Sequence, residues 1–419
     1  MNSIKKDYNG LVMGAFEEAF VGEKHLAFEP QEYKDRLNKL RGMMAKAGID
    51  MMWLTTPESV CWLHGYYASW YKANSPMRYP QCYGTAVHVD HDEILHFDNP
   101  TEMPILAAIS VCENLYFFSS RDAADNIPFV MNELSSRGWL SGTVGMEKWS
   151  YLPNPAISAM FEGAFLTNGA RVVDGSALPR GARLVKSPAE IAKIEMAAGY
   201  VDIGWQAILK EIRPGMTELD LFGLTTAAMM KAGSEFSALI PIFNTMPVRD
   251  GRAISTGHAM AGRRVIEAGQ FLCGDICGVH DRYHANAMRG VYLGDPPAAM
   301  ANRYRRAARV FDLFRTEVKS GMTVREVNAL IKLCLAENGL DGGEGWVLGY
   351  ELGLSLPPDW VGDFYFHYQD TKYLDRVFEE NMVTNLESLF NTWLIDTVVY
   401  TPNGCRILSK TPLELMATG

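Results

Sequence analysis

A chain of 419 residues exceeds one ordinary core, so two domains are expected. Its 48% hydrophobic and 21% charged residues are globular values, and a net charge of -10 with no basic face argues against a nucleic-acid partner. No stretch reaches the roughly 20 apolar residues of a membrane span, and the basic start MNSIKKDYNG has no apolar run behind it, so a cytoplasmic protein without a secretory signal is expected.

Residues 1–28 carry no clear pattern. From Pro30 to Ala47 the apolar positions Leu37, Leu40, Met43 and Met44 predict a helix, stopped by Gly48. The run IDMMWLTT predicts a strand, residues 82–97 two strands with a polar turn, and GTVGMEKW another strand. An N-terminal α/β domain over 1–180 and a second domain over 181–419 follow, with the boundary near Pro179–Leu184. Ser187-Pro188-Ala189-Glu190 then opens a long helix: serine as N-cap, proline in the first turn, glutamate three residues on.

An internal repeat appears next. EIRPGMTELDLFGLTTAAMMKAG (211–233) and EVKSGMTVREVNALIKLCLAENG (317–339) share Gly-Met-Thr, an apolar helical stripe and a closing glycine, with Thr217 and Thr323 as N-caps. Each copy leads into a β-prone segment bearing an acid, Asp275 in the first and Glu387 in the second. Two pseudo-symmetric half-domains would set those acids in one central cleft. Asp396 follows within the apolar run LIDTVVY. Carboxylates in buried strands need partners, and a cluster of them binds either a metal or a cationic group. The seven cysteines are odd in number and scattered, which predicts reduced, buried thiols rather than a disulfide framework or zinc site.

On these residues the chain resembles the pita-bread superfamily of methionine and Xaa-Pro aminopeptidases, creatinase and ectoine hydrolase. The resemblance implies a creatinase-type α/β domain followed by a duplicated α+β catalytic domain. The family's metallopeptidases place five ligands around two metals. Asp275, Glu387 and Asp396 match three of those positions, whereas Asn286 and Tyr350 stand where an aspartate and a histidine are needed. The departures resemble creatinase and ectoine hydrolase, which imply C–N hydrolysis of a small cationic or zwitterionic compound with no metal cofactor. Arg282-Tyr283-His284 through Arg289 and Gly353-Leu354-Ser355-Leu356-Pro357-Pro358-Asp359-Trp360 carry the ectoine hydrolase pattern.

By the same resemblance, His258 is the general acid and base, with Asp275, Glu387 and Asp396 beside it. His284 replaces a pocket tyrosine of creatinase and Met288 one of its glutamates. Tyr350 and Glu351 join His284 as candidate substrate contacts. In the span CWLHGYYASWYKANSPMRYP, Arg78 is the candidate carboxylate binder, and Trp62 and Trp70 are candidate walls for a cation. A homodimer is implied, with this region reaching the neighbouring site. A metal-dependent Xaa-Pro dipeptidase and a lyase acting on a small betaine or sulfonium compound are the alternatives.

Overall fold

The structure, a computed structural model, describes residues 24–69, 77–254, 257–340 and 343–418. They form two compact units that divide between Arg183 and Leu184.

In the first unit, helix α1 (Pro30–Ala47) spans the residues expected from its apolar stripe. Leu37, Leu40 and Met44 are buried, and Gly48 ends the helix in the left-handed conformation. There follow β1 (Met51–Leu54), α2 (Pro57–His64), β2 (Gly84–His88), β3 (Ile94–Asp98), α3 (Met103–Ile109) and β4 (Asn114–Phe117). The unit closes with α4 (Ala123–Ser136), β5 (Thr143–Met146), α5 (Pro155–Thr167), β6 (Arg171–Asp174) and α6 (Ala177–Leu184). The strands make one mixed sheet in the order β4-β3-β2-β1-β5-β6, in which β2 and β3 are the antiparallel pair expected over 82–97. Trp53, Phe97, Phe161 and Phe165 form an aromatic core against this sheet.

The second unit begins with α7 (Pro188–Glu211), capped as its sequence predicts. The Ser187 hydroxyl accepts the Glu190 N–H, and the Glu190 carboxylate accepts the Ser187 N–H at 2.8 Å. Then come α8 (Glu218–Lys231), β7 (Ile242–Met246), the small hairpin β8 (Val248–Arg249) and β9 (Arg252–Ala253), β10 (Phe271–His280) and β11 (Tyr283–Leu293). The second half holds α9 (Ala298–Thr316), α10 (Val324–Glu337), β12 (Trp346–Tyr350), β13 (Tyr365–His367), β14 (Val383–Leu389), β15 (Leu394–Thr401), β16 (Gly404–Ile407) and β17 (Met416–Thr418).

The repeat is real in three dimensions. Thr217 and Thr323 both cap their helices within a capping box, closed by Asp220 and Glu326. Gly215 and Gly321 share the same φ of 94°, open to glycine without strain. Their amides donate to equivalent carbonyls, those of Ile266 and Phe378. The sheet runs β13-β12-β14-β15-β11-β10-β7, with β16 on β15 and β17 on β11. The hairpins β14–β15 and β10–β11 therefore abut at its centre, and β12 answers β7.

Helices cover one face of both halves. A Cβ on Gly278 would lie 2.0 Å from the Ala197 carbonyl, so only glycine lets α7 sit this close to β10. The Trp205 indole donates to the Ala287 carbonyl at 3.1 Å, and Ser388 Oγ donates to the Ala307 carbonyl of α9 at 2.8 Å. Alternation along each strand turns Asp275 and Glu387 to the opposite face.

Candidate active site

Residues directly opposite in an antiparallel ladder share a face. Six strands line up one row on the face away from the helices. Ile242 lies opposite Asp275, Asp275 opposite Met288, Met288 opposite Ile395, Ile395 opposite Glu387, and Glu387 opposite Leu348. The repeat thus sets its two acids in one row, three strand steps of about 4.8 Å apart along the sheet. Between them stands an apolar floor of Met288 and Ile395, both buried.

Burial pushes the Asp275 carboxyl up to about 7; the Asn286 amide, donating to Oδ1 at 3.1 Å, and the Arg289 charge oppose that rise. Burial also pushes Glu387 up to about 7, and the negative charge of Asp275 adds to it. Asn385 Nδ2 donates to Glu387 Oε1 at 2.9 Å, and the Trp346 indole donates to the same carboxylate. Tyr350 stands two residues beyond Leu348 on the same face. Burial and then the charges of Glu387 and Asp275 raise its phenol well above the ordinary value, and the Trp360 indole is hydrogen-bonded to it. Cys273 and Cys277 flank Asp275 on this face. Burial holds both as thiols, so neither supplies a thiolate nucleophile. All seven cysteines are free and buried, as expected.

The structure brings Asp275, Asn286, Tyr350 and Glu387 together but turns Asp396 away. Asp396 pairs across the sheet with Ala287 and Leu386, on the helix-covered face. Its carboxylate is 2.6 Å from the Arg289 guanidinium, with both side chains fully buried. Burial pushes Asp396 up to about 6, and Arg289 opposes that rise. A register offset of one residue flips a strand's faces, so it is Ile395 that looks into the cleft.

Other expectations are also corrected. Glu351 faces away from Tyr350's side of β12 and is held by Lys186 Nζ at 2.6 Å and the Asp363 N–H at 2.8 Å. His284 is fully buried with both ring nitrogens engaged, by the Arg282 carbonyl at 2.9 Å and the Ala238 N–H at 2.9 Å. Burial lowers its pKa to about 3, so it is a neutral structural imidazole. Its ring meets Trp360 edge-on at 6.3 Å. Trp62 is a core residue rather than a substrate wall. Its ring lies 5.6 Å from the Arg36 guanidinium, and its carbonyl accepts from Arg36 at 2.9 Å.

Arg78 is exposed in the first unit, and Trp70 lies outside the described residues. His258 is exposed on a loop beside the β7 edge. Asn244, opposite Cys273 on the cleft face, donates to the Gly257 carbonyl at 3.0 Å, and Met260 bridges to Ile242. These contacts lay the His258 loop against the Asp275 end of the row. Among the described residues no hydrogen bond joins His258 to either acid.

Sequence reasoning overlooked Trp346, Tyr365 and Asn385. The alternation Trp346-Val347-Leu348-Gly349-Tyr350 carried the signal, since a period of two sets Trp346 and Tyr350 on one face. Arg282, from the ectoine hydrolase pattern, is architectural: it is buried and donates to the Phe236 carbonyl at 2.7 Å. Tyr283 likewise donates to Glu190 at 2.7 Å.

The residues present do not fit a two-metal centre, which needs shared carboxylate ligands between ions about 3.5–4 Å apart. Asn286 spends its amide on Asp275, Tyr350 replaces an imidazole, and Ile395 occupies the cleft face of β15. Among the described residues no group of three or more His, Cys, Asp or Glu could hold a metal ion.

Residues 36–185 match the creatinase/prolidase N-terminal domain, and residues 192–407 match metallopeptidase family M24. An ectoine hydrolase of Halomonas elongata is 25% identical over 422 residues, covering 93% of this chain and 98% of that protein. An Xaa-Pro dipeptidase of Pyrococcus furiosus is 25% identical over 240 residues, covering 56% of this chain and 65% of that protein. Among solved structures, an Xaa-Pro dipeptidase from Bacillus anthracis superposes with a TM-score of 0.74 at 20% identity, covering 92% of this chain and 100% of that one. An X-Pro aminopeptidase from Thermotoga maritima gives 0.73 at 18% identity, covering 91% and 99%. These structural likenesses concern the pita-bread fold.

Proposed function

Since the chain belongs to metallopeptidase family M24, with a creatinase/prolidase N-terminal domain ahead of the family's region, we propose that it hydrolyses a C–N bond in a small cationic or zwitterionic nitrogenous compound without a metal. Hydrolysis of a C–N bond is supported by the family and by relatives named ectoine hydrolase and Xaa-Pro dipeptidase. The observation that carries the metal-free part is the row Asp275–Met288–Ile395–Glu387, two acids separated by an apolar floor instead of a ligand set.

An amidinium or guanidinium carbon is already polarised by its own charge. Carboxylates hydrogen-bonded to such a group fix its orientation. In this proposal Glu387 and Asp275 hold the cation, and the Tyr350 phenol, neutral at working pH, offers a hydrogen bond. His258 takes a proton from water as it attacks and returns it to the leaving nitrogen, a role imidazoles fill near neutrality. Arg78 is the candidate for a substrate carboxylate, supplied by a second copy in a homodimer. A screen of guanidino acids, cyclic amidines, betaines and proline dipeptides, followed by product analysis, tests the proposal. Release of an amine, ammonia or urea from a guanidino acid or cyclic amidine is expected. Turnover confined to proline dipeptides, or a sulfur-containing or alkene product, would contradict it.

A further inference from the structure

Positive charge gathers at one end of the second unit, although the chain carries a net charge of -10. Asp250 and Gly251, with φ of 51° and 69°, make the two-residue turn that joins β8 to β9. That turn sets Arg249 directly opposite Arg252. On α9, Arg303 and Arg306 stand three residues apart, as neighbours on one helical face. Like charges in either arrangement repel. The fold also brings hairpin and helix together: a Cβ on Gly251 would lie 3.5 Å from that of Ala299, one turn before Arg303. Burial, then the charges of Arg252 and Arg306, lower the Arg303 pKa, and Glu344 opposes them.

Local acceptors leave these charges largely unanswered. Arg252 donates to Glu344 at 2.7 Å. Among the described residues Arg306 reaches only the Asn338 and Gly339 carbonyls, at 3.4 and 2.9 Å, and its buried Nε has no partner. Arg303, half-buried, has a single acceptor among them, Asn391 Oδ1 at 3.4 Å. That oxygen already accepts the Ala253 N–H at 3.0 Å. A guanidinium has five N–H donors, so most of those on Arg303 lack an acceptor while two like charges stand beside it.

We propose that Arg249, Arg252, Arg303 and Arg306 form a binding site for a small dianionic oxyanion, a phosphoryl group or a dicarboxylate. Asp250 in the turn and Glu344 on Arg252 are the acids placed among them. Against four guanidinium groups these two acids leave two positive charges, which sets the charge of the ligand. Guanidinium forks meet such oxygens in pairs, and Arg303 is the half-buried member of the set. The site lies outside the Asp275–Glu387 row but borders it. Strand β9 leads into the His258 loop, Asn391 follows the Glu387 strand, and Glu344 precedes Trp346. Binding there needs no turnover, so the site stands or falls separately from the hydrolase proposal.

The test uses the full chain near pH 8, in a low-salt buffer free of multivalent anions. Inorganic phosphate, sulfate, succinate and acetate are added at matched ionic strength, and calorimetry and the melting temperature report binding. At least one of the three dianions is expected to bind with a Kd of about 1 mM or tighter, at least about tenfold more tightly than acetate. Arg303→Gln should weaken that dianion at least about tenfold, with circular dichroism unchanged. Should this variant fail to fold, Arg252→Gln, at a side chain 51% exposed, carries the same expectation. Without a dianion, Arg303→Gln should melt no lower than the parent, because it relieves repulsion; with the dianion it should melt below it. Arg315→Gln is the control. Arg315 sits at the other end of α9, paired with Asp312 at 3.1 Å, and its loss should leave binding unchanged. Tighter binding of phosphate and sulfate marks a phosphoryl ligand, and tighter binding of succinate a dicarboxylate; both uphold the site. Acetate binding as tightly as the dianions, no dianion binding at about 10 mM, or full affinity in Arg303→Gln overturns it.

Discussion

The Arg289→Met variant is expected to be about 3–5 kcal/mol less stable than the parent chain, because it strands a buried carboxylate without its cation. Arg289 and Asp396 are both fully buried and 2.6 Å apart. The guanidinium also donates to the carbonyls of Ile395 at 2.6 Å, Thr411 at 2.9 Å and Pro412 at 2.8 Å. Asp396 in turn accepts the Ser409 N–H at 3.0 Å, and Asp202 of α7 accepts the Thr411 N–H at 3.1 Å. The pair thus ties the centre of the sheet to the segment 409–412. Denaturation in urea measures the loss. The double variant Arg289→Met with Asp396→Leu removes both charges, and it should regain most of the stability and keep turnover. Recovered stability without turnover would instead make Asp396 part of the chemistry.

Glu387→Gln should move function and stability in opposite directions. Losing a charge-assisted hydrogen bond to a cationic substrate costs roughly 1.5–3 kcal/mol, so KM should rise about 10- to 100-fold. Stability should increase. The folded state holds the Glu387 carboxyl near 7, above its usual value of 4.5, so ionisation is resisted by the fold. Below the unfolded value both states are protonated and no cost arises. As pH climbs from there through about 7 the cost grows to roughly 3 kcal/mol. Glutamine removes it, so the gain in melting temperature should be largest at pH 8 and vanish near pH 4. An unchanged KM would show that Glu387 does not hold the charge, and a gain independent of pH would remove its titration from the cause.

Much of the fold was legible because its signals are local. Capping residues at Ser187, Thr217 and Thr323, the glycine stops and the repeated Gly-Met-Thr each act within a few residues. Asp275 and Glu387 were legible because the repeat marks equivalent strands. Asp396 was misread because an apolar run such as Leu394-Ile395-Asp396-Thr397 does not reveal which residues face the cleft; only the pairing with β11 and β14 settles it. Glu351 was misread because its partner Lys186 lies 165 residues away. The density of aromatics near Trp62 suggested a pocket, yet the cation over that ring is Arg36 from α1.

Metal content measured alongside turnover tests the central claim most directly. The purified chain is dialysed against a strong chelator, its divalent metals are quantified by mass spectrometry, and hydrolysis is assayed before and after. Hydrolysis by Asp275, Glu387 and His258 without a metal predicts substoichiometric metal and unchanged turnover. Turnover lost on chelation and restored by manganese, cobalt or zinc would contradict it.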